Sequence, residues 1–459
     1  MRELFIGNKM FRTLLIYQFF SSLGGSIFSV FMLLSVHLIY QNPIYTGIAG
    51  FLMAAPFIFA FAVGPIVDRG NKVTIMRITT FLEFAVLAML IFVPFQERFG
   101  VVFMFTVIFI YSLAALFEAP SSTALLPQIV QENNIMEANS LIRIVTMVGG
   151  LIIASILIAT LQDGINYILI YSLSAGFLAF AFLFSLLLKD PGYKSEQVIA
   201  NSDENDLDRA KNTRLLTRSL ATDQTDLNRN CYKEKANSQN YLQDLKAGAS
   251  FIKRSILLFT TIAFVAKRFI IETAGINMPM FAEYHVGARG YIIFGIMALL
   301  GGIVASYLVG AFGKKFKVGQ LLFVVFALAG IVRIIFVRVL PMHHIGGLIA
   351  LVLYAAMGSA LGIVFQSLEQ TIPPKDMVGR VNTMSTTVIA IFVTIGALVG
   401  GFLGSIVPVV DHIFIYQGIS YIIIGVFIIL MPGIRKLPKM DEMSQLQSPS
   451  THEQHHPET

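Results

Sequence analysis

The chain has 459 residues, 56% hydrophobic and 13% charged, with a mean hydropathy of +0.74 and a formal net charge of +6. Soluble domains carry about a quarter charged residues, so a chain this poor in charge does not cover its surface and stay in water. The composition therefore excludes a soluble enzyme or nucleic-acid binder and points to a helical membrane protein with its basic excess in loops.

The N-terminus, MRELFIGNKMFR, runs into an apolar stretch of about 27 residues, longer than the apolar region of a signal peptide, and no A-x-A-like site follows. It reads as a retained first span. With roughly 20 apolar residues needed per crossing, twelve spans are expected. The first six lie near 12–39, 46–66, 73–94, 100–126, 141–161 and 165–188. The second six lie near 255–281, 289–312, 319–340, 345–370, 384–409 and 412–432.

Between the sets, 189–250 is polar, with mixed charges and few aromatics, as in KSEQVIANSDENDLDRAKNTRLLTRS, and reads as a central loop without a packed core. Its last part, YLQDLKAGASFIKRS, spaces Leu242, Leu245, Ala249 and Ile252 as an interfacial helix does. The polar tail, 433–459, reads as disordered, and His452, His455 and His456 within it as solvated residues. The domain plan is thus an N-terminal six-helix half (1–188), the loop (189–250), a C-terminal half (251–432) and the tail.

Arg69, Lys72, Arg77, Lys314, Lys315, Lys317, Lys375, Arg380, Arg435, Lys436 and Lys439 fall on one side of the membrane. The opposite loops hold only Arg98 and Arg289, beside Glu97, Glu283, Asp163 and Asp411. By the positive-inside rule, both termini are expected in the cytoplasm.

The halves echo each other. Gly64 and Gly310, Pro127 and Pro373, and Gly150 and Gly396 are each 246 residues apart. A repeat of that size is a duplicated six-helix half of a transporter.

GPIVDRGNK, between spans two and three, matches the pattern G-x-x-x-D-R-x-x-[RK] at Gly64, Asp68, Arg69 and Lys72. GAFGKKFK echoes it between spans eight and nine, with Lys314 in place of the acid. LLPQIVQENNIMEANSL and TIPPKDMVGRVNTM follow spans four and ten. On these segments the chain resembles the major facilitator superfamily and, within it, the drug-efflux branch that includes bacterial macrolide exporters. The resemblance implies an all-α fold of two pseudo-symmetric six-helix halves, alternating access, a cell-membrane location and proton antiport. It also implies that Gly64, Asp68, Arg69 and Lys72 form a conformational latch; a plain positive-inside anchor is the alternative. Glycines in MVGGLIIAS resemble an antiporter helix only loosely, and Gly396, Gly400 and Gly404 suit close helix packing.

Charges inside spans are functional candidates because each is expensive there. Glu83 lies near the middle of span three. Glu118 lies roughly 27 Å into span four, where an ion pair with Arg69, Lys72 or Arg143 competes with a proton-coupling role. Arg333 is mid-span nine, and Arg338 snorkels near its end. In span seven, FVAKRFIIETAGINMP carries Lys267 about 18 Å deep, with Arg268 and Glu272 at a spacing that permits pairing. Lys267 then needs another acid, for which Glu83 and Glu118 are the candidates. Gly275 and Pro279 are expected to bend the outer end of this span.

A single cysteine, Cys231, excludes an internal disulfide and a cysteine metal cluster. The sequence has no G-x-x-x-x-G-K-[ST] loop, and no catalytic cluster is found, so neither an enzyme nor a nucleotide-driven pump is expected. The reading is a monomeric exporter of small amphipathic molecules coupled to protons, with no cofactor, metal or nucleic-acid partner. The 39 Phe, 19 Met and 15 Tyr, with no Trp, suit a pliable apolar cavity as well as a lipid-facing surface. Export of a dedicated metabolite (a siderophore, peptide or lysolipid) and a non-transporting membrane sensor are the alternatives.

Overall fold

A computed structural model describes residues 7–92, 98–130, 135–146, 149–150, 166–189, 241–287, 289–312, 316–374, 377–435 and 437–439. The described residues are almost entirely helical. The first half contains α1 (Lys9–Tyr40), α2 (Pro43–Ala54), a 3-10 turn (Ala55–Phe59), α3 (Ala60–Arg69), α4 (Lys72–Leu90), α5 (Arg98–Ile129), α6 (Ile135–Thr146) and α7 (Tyr167–Leu187). The second contains α8 (Tyr241–Arg254), α9 (Leu257–Gly275), α10 (Met278–Val286), α11 (Gly290–Phe312), α12 (Val318–Val339), α13 (His344–Thr371), α14 (Val378–Ile406), α15 (Asp411–Leu430) and α16 (Pro432–Arg435).

Ten helices among the described residues are long and apolar enough to cross a membrane. Of the twelve expected spans, the fifth falls largely on residues 151–161, outside the described residues. The seventh carries three charges and is interrupted between α9 and α10. Pro279 causes that break: it stands in the first turn of α10 and has no N–H to continue the ladder from α9. Asn277 fills the gap by donating to Thr273 O (3.1 Å) and Gly400 O (2.8 Å).

Asparagines set several helix starts. Asn8 accepts from the amides of Met10 and Phe11, Asn42 from Ile44, Asn71 from Thr74 and Asn166 from Leu169. Each side chain satisfies donors that a helix N-terminus leaves open. Asn8 also donates to Ile129 O at 2.6 Å, tying the start of α1 to the end of α5.

The repeat holds in register along the halves. α4 and α12 open at 72 and 318, and α5 and α13 at 98 and 344, the same 246-residue interval. It also holds at the level of contacts. Gly150 packs on Ser22 and Ser26 of α1, and Gly396 packs on Phe269 and Glu272 of α9, with Glu272 equivalent to Ser26. Each half has its own apolar cores: one around Phe28, Leu87, Ile108 and Leu178, and another around Leu257, Phe326, Leu361 and Tyr421.

α14 joins the halves. On one face Gly396, Gly400 and Gly404 lie against Phe269, Thr273 and Asn277 of the broken seventh span. On another, Gly401 meets Gly47 of α2, where an added Cβ would sit 2.7 Å from the opposing Cα. Small residues allow this backbone approach. The contact of α14 with the first half is extensive along α2 and slight along α3. The halves are therefore closed together on the side away from α8, called here the far side.

The central segment is helical from Tyr241, so α8 begins inside the expected loop and ends at the membrane-side basic pair Lys253 and Arg254. The expectation of a disordered tail from 433 does not hold for its first residues. Ile434 and Leu437 are buried in the second half's core, and Lys439 bridges to Lys317. His452, His455 and His456 lie outside the described residues.

Candidate functional site

The first half holds a cluster built from α1, α4 and α5. Tyr17 is fully buried and donates to Glu118 Oε1 at 2.7 Å, while its oxygen lies 2.8 Å from Thr80 Oγ1. Ser21 also donates to Glu118, and Thr80 reaches Met76 O at 2.8 Å. One turn along α4, Glu83 is 1% exposed, and neither carboxylate oxygen has a hydrogen-bond partner. An ionised carboxylate there would be an uncompensated buried charge, a costly state.

Glu118 also lines a cavity of about 450 Å³ with Gln18, Ser22, Ser26, Tyr111 and Thr146 among its walls. Among the described residues Glu118 has no ion pair, and its partners are the hydroxyls of Tyr17 and Ser21. The side chains of Arg69 and Arg143 lie outside the described residues.

The second half presents the charges of the seventh span. Lys267 does not meet an acid. It is 3% exposed, donates to Gly358 O on α13 at 2.7 Å, and lies 4.7 Å from the centroid of Phe264, which stacks on Phe365. A carbonyl dipole and a ring face replace the expected counter-ion. Glu118 is bonded to Tyr17 and Ser21 within the first half, and Glu83 is buried there without a hydrogen-bond partner.

Arg268 and Glu272 are half-buried, and no ion pair joins them within 4.0 Å, contrary to the pairing that their spacing permits. Their repeat equivalents, Ser22 and Ser26, both line the first-half cavity. The equivalent of Lys267 is Ser21, and both turn from the first helix of their half towards the fourth.

The latch motif spans a tight turn. Gly64, Asp68 and Arg69 lie in α3, Lys72 opens α4, and Asn71 caps α4. The side chains of Asp68 and Arg69 lie outside the described residues.

Sequence reasoning missed two constellations. His37 Nε2 of α1 lies 2.8 Å from Glu283 Oε2 of α10, across the two halves on the far side and at equivalent repeat positions. Arg333 is 1% exposed within α12, donates to Gln417 Oε1 at 2.7 Å, and stacks near Tyr354, Phe336 and Phe414 at 4.6–5.0 Å. Gln417 in turn donates to Tyr354 Oη at 2.9 Å. The first constellation had a signal, an acid and a histidine 246 residues apart. Among the described residues there is no group of three or more His, Cys, Asp or Glu arranged to hold a metal.

The family model of the Major Facilitator Superfamily matches residues 14–395. The chain belongs to this superfamily. It is accordingly a multi-pass membrane protein of transporter type, not an enzyme, with an all-α fold of two six-helix halves. Solved structures of similar superfamily architecture include the nucleoside transporter NupG, with 14% identity, a TM-score of 0.71, and 92% of this chain and 100% of that chain covered. A peptide transporter of the POT type in complex with sulfate gives 12% identity and a TM-score of 0.66 over 94% and 96% of the chains. A bacterial homologue of the iron transporter ferroportin, in an inward-facing state, gives 12% identity and 0.64 over 92% and 98%. At these identities the likeness is one of fold. A comparison with curated proteins returns no match.

Proposed function

We propose that this superfamily member is a proton antiporter that exports small amphipathic compounds by alternating access, with its termini and α8 on the cytoplasmic side of the cell membrane. The observation that carries the reading is the buried acid pair. Glu118 faces a polar cavity, and its hydrogen bonds through Tyr17 to Thr80 lead towards Glu83, which has no partner of its own. Tyr17 and Thr80 have two hydroxyl protons to share among the Glu118 carboxylate, each other and Met76 O, so a proton has more than one place to go.

In this mechanism a proton enters and leaves through Glu118, and Glu83 stores it where an ion is not tolerated. Arg268 and Glu272 face the centre from the second half by their equivalence to Ser22 and Ser26, and they contact the polar part of the substrate. Gly64, Asp68, Arg69 and Lys72 act as the latch that ties the halves in one of the two states. The drug-efflux branch is what the motif resemblance implies.

The test is substrate-driven proton release from liposomes loaded with purified protein and an amphipathic fluorescent dye. The wild type is expected to exchange dye for protons. Glu83→Gln and Glu118→Gln are expected to abolish the proton flux, and Glu272→Gln to weaken dye transport. Dye movement indifferent to collapse of the proton gradient would rule out antiport, and intact proton release in both first-half variants would remove the acid pair from the mechanism.

A further inference from the structure

A separate concavity lies between α9 and α14, with the end of α8 at its rim. Its volume is about 650 Å³, within the roughly 300–1,000 Å³ of small-molecule sites. Val265, Phe269, Val388 and Phe392 form apolar walls, and Phe392 remains 41% exposed at the mouth. Two hydroxyls interrupt these walls. Thr261 is 7% exposed and its Oγ1 has no hydrogen-bond partner, whereas Ser385, 1% exposed, has the Glu369 carboxyl beside its hydroxyl. A buried hydroxyl left without a partner costs about 1–3 kcal/mol, so Thr261 calls for an acceptor or donor from the occupant.

The rim supplies charge. Lys253 lines the concavity from the last turn of α8, and Arg254 follows it, both exposed. Lys246, one heptad before Lys253, is exposed as well, while Ile252 is buried, so α8 lies with an apolar side on the bundle and basic residues outward. Gly248 packs against Arg380 O and Met384, which holds α8 across the start of α14. Basic residues on an interfacial helix attract anionic headgroups. Charge at the rim, hydroxyls within and an apolar trough together match one occupant.

We propose that this groove is a binding site for an anionic phospholipid from the leaflet on which α8 lies. An acyl chain packs between α9 and α14, the ester region meets Thr261, and Lys253 holds the headgroup phosphate. The site is distinct from the acid-lined cavity: no residue lines both. It depends only on membrane embedding, not on the proton-antiport reading.

The chain contains no Trp, so a single introduced one reports locally. Phe392→Trp puts it at the mouth of the groove, and Phe402→Trp, on the same helix but at a site 58% exposed outside the groove, serves as control. Each variant is reconstituted with brominated phosphatidylglycerol or brominated phosphatidylcholine, and quenching gives the relative affinity of each lipid. One interfacial lysine predicts about a fivefold preference for the anionic lipid at the Phe392→Trp reporter. Lys253→Gln, a change at an exposed side chain, is expected to reduce that preference to near unity. The Phe402→Trp reporter is expected to show no preference in either background. Equal quenching by both lipids in Phe392→Trp would overturn the proposal, as would a preference that survives Lys253→Gln or one equally strong at the control.

Discussion

The crossing of α2 and α14 offers a direct handle on the transport cycle. Gly401→Ala would place a methyl group 2.7 Å from Gly47 Cα and 2.8 Å from Pro43 O, both backbone atoms that no side-chain rotation can move. Overpacking of this kind costs about 1–3 kcal/mol. The penalty falls on the arrangement in which the far side is closed, because alternating access draws the two helices apart when that side opens. An energy of that size shifts a two-state equilibrium by about 5–150-fold. The assay uses Ile276, which is 2% exposed and packs against Gly50 at the same far-side junction. In a Cys231→Ser background, Ile276→Cys is labelled with a membrane-impermeant thiol reagent applied from the far side. Adding Gly401→Ala should raise the labelling rate within the stated range. Gly176→Ala, where an added Cβ meets nothing within 4 Å, should leave it unchanged. An unaltered rate in a folded Gly401→Ala protein would refute the idea that this crossing is the far-side closure.

Other residues give sharper separations between structure and transport. Tyr17→Phe deletes one of the two hydroxyls on Glu118, a bond to a charged group worth about 1.5–3 kcal/mol, so proton release should slow by about tenfold or more while dye binding persists. Lys267→Met removes a buried cation without stranding an acid, so thermal stability in detergent should hold or rise. A melting temperature several degrees lower would instead make Lys267 a structural tie. Gln417→Leu removes the hydrogen-bond acceptor of the buried Arg333 and should lower the melting temperature. Adding Arg333→Met should restore it, because both polar partners are then replaced by apolar groups.

Span positions among the described residues, the duplication and the bend in span seven were legible because each is written along one chain: an apolar length, an interval, a proline. Gly396, Gly400 and Gly404 likewise share a face by spacing alone, and they pack as that face requires. Partners between helices were harder to read. Arg268 and Glu272 have the spacing of a pair, yet spacing sets only the helical face and not the rotamers that neighbouring helices allow. The acid sought for Lys267 was the wrong chemistry to seek, because a carbonyl from α13 and the ring of Phe264 were available closer by. Tyr17 was invisible among 15 tyrosines until α1, α4 and α5 were placed side by side. Arg333 was found by its depth, but its aromatic surroundings come from α12, α13 and α15, which no local pattern connects.

The duplication of the six-helix half has a consequence for how the polypeptide tolerates change. A cut between 189 and 241 severs no described helix and leaves each fragment with its own apolar core. Two separately made pieces, co-expressed, thus contain what they need to find each other along Gly47 and Gly401, and the covalent join between them sets proximity more than architecture.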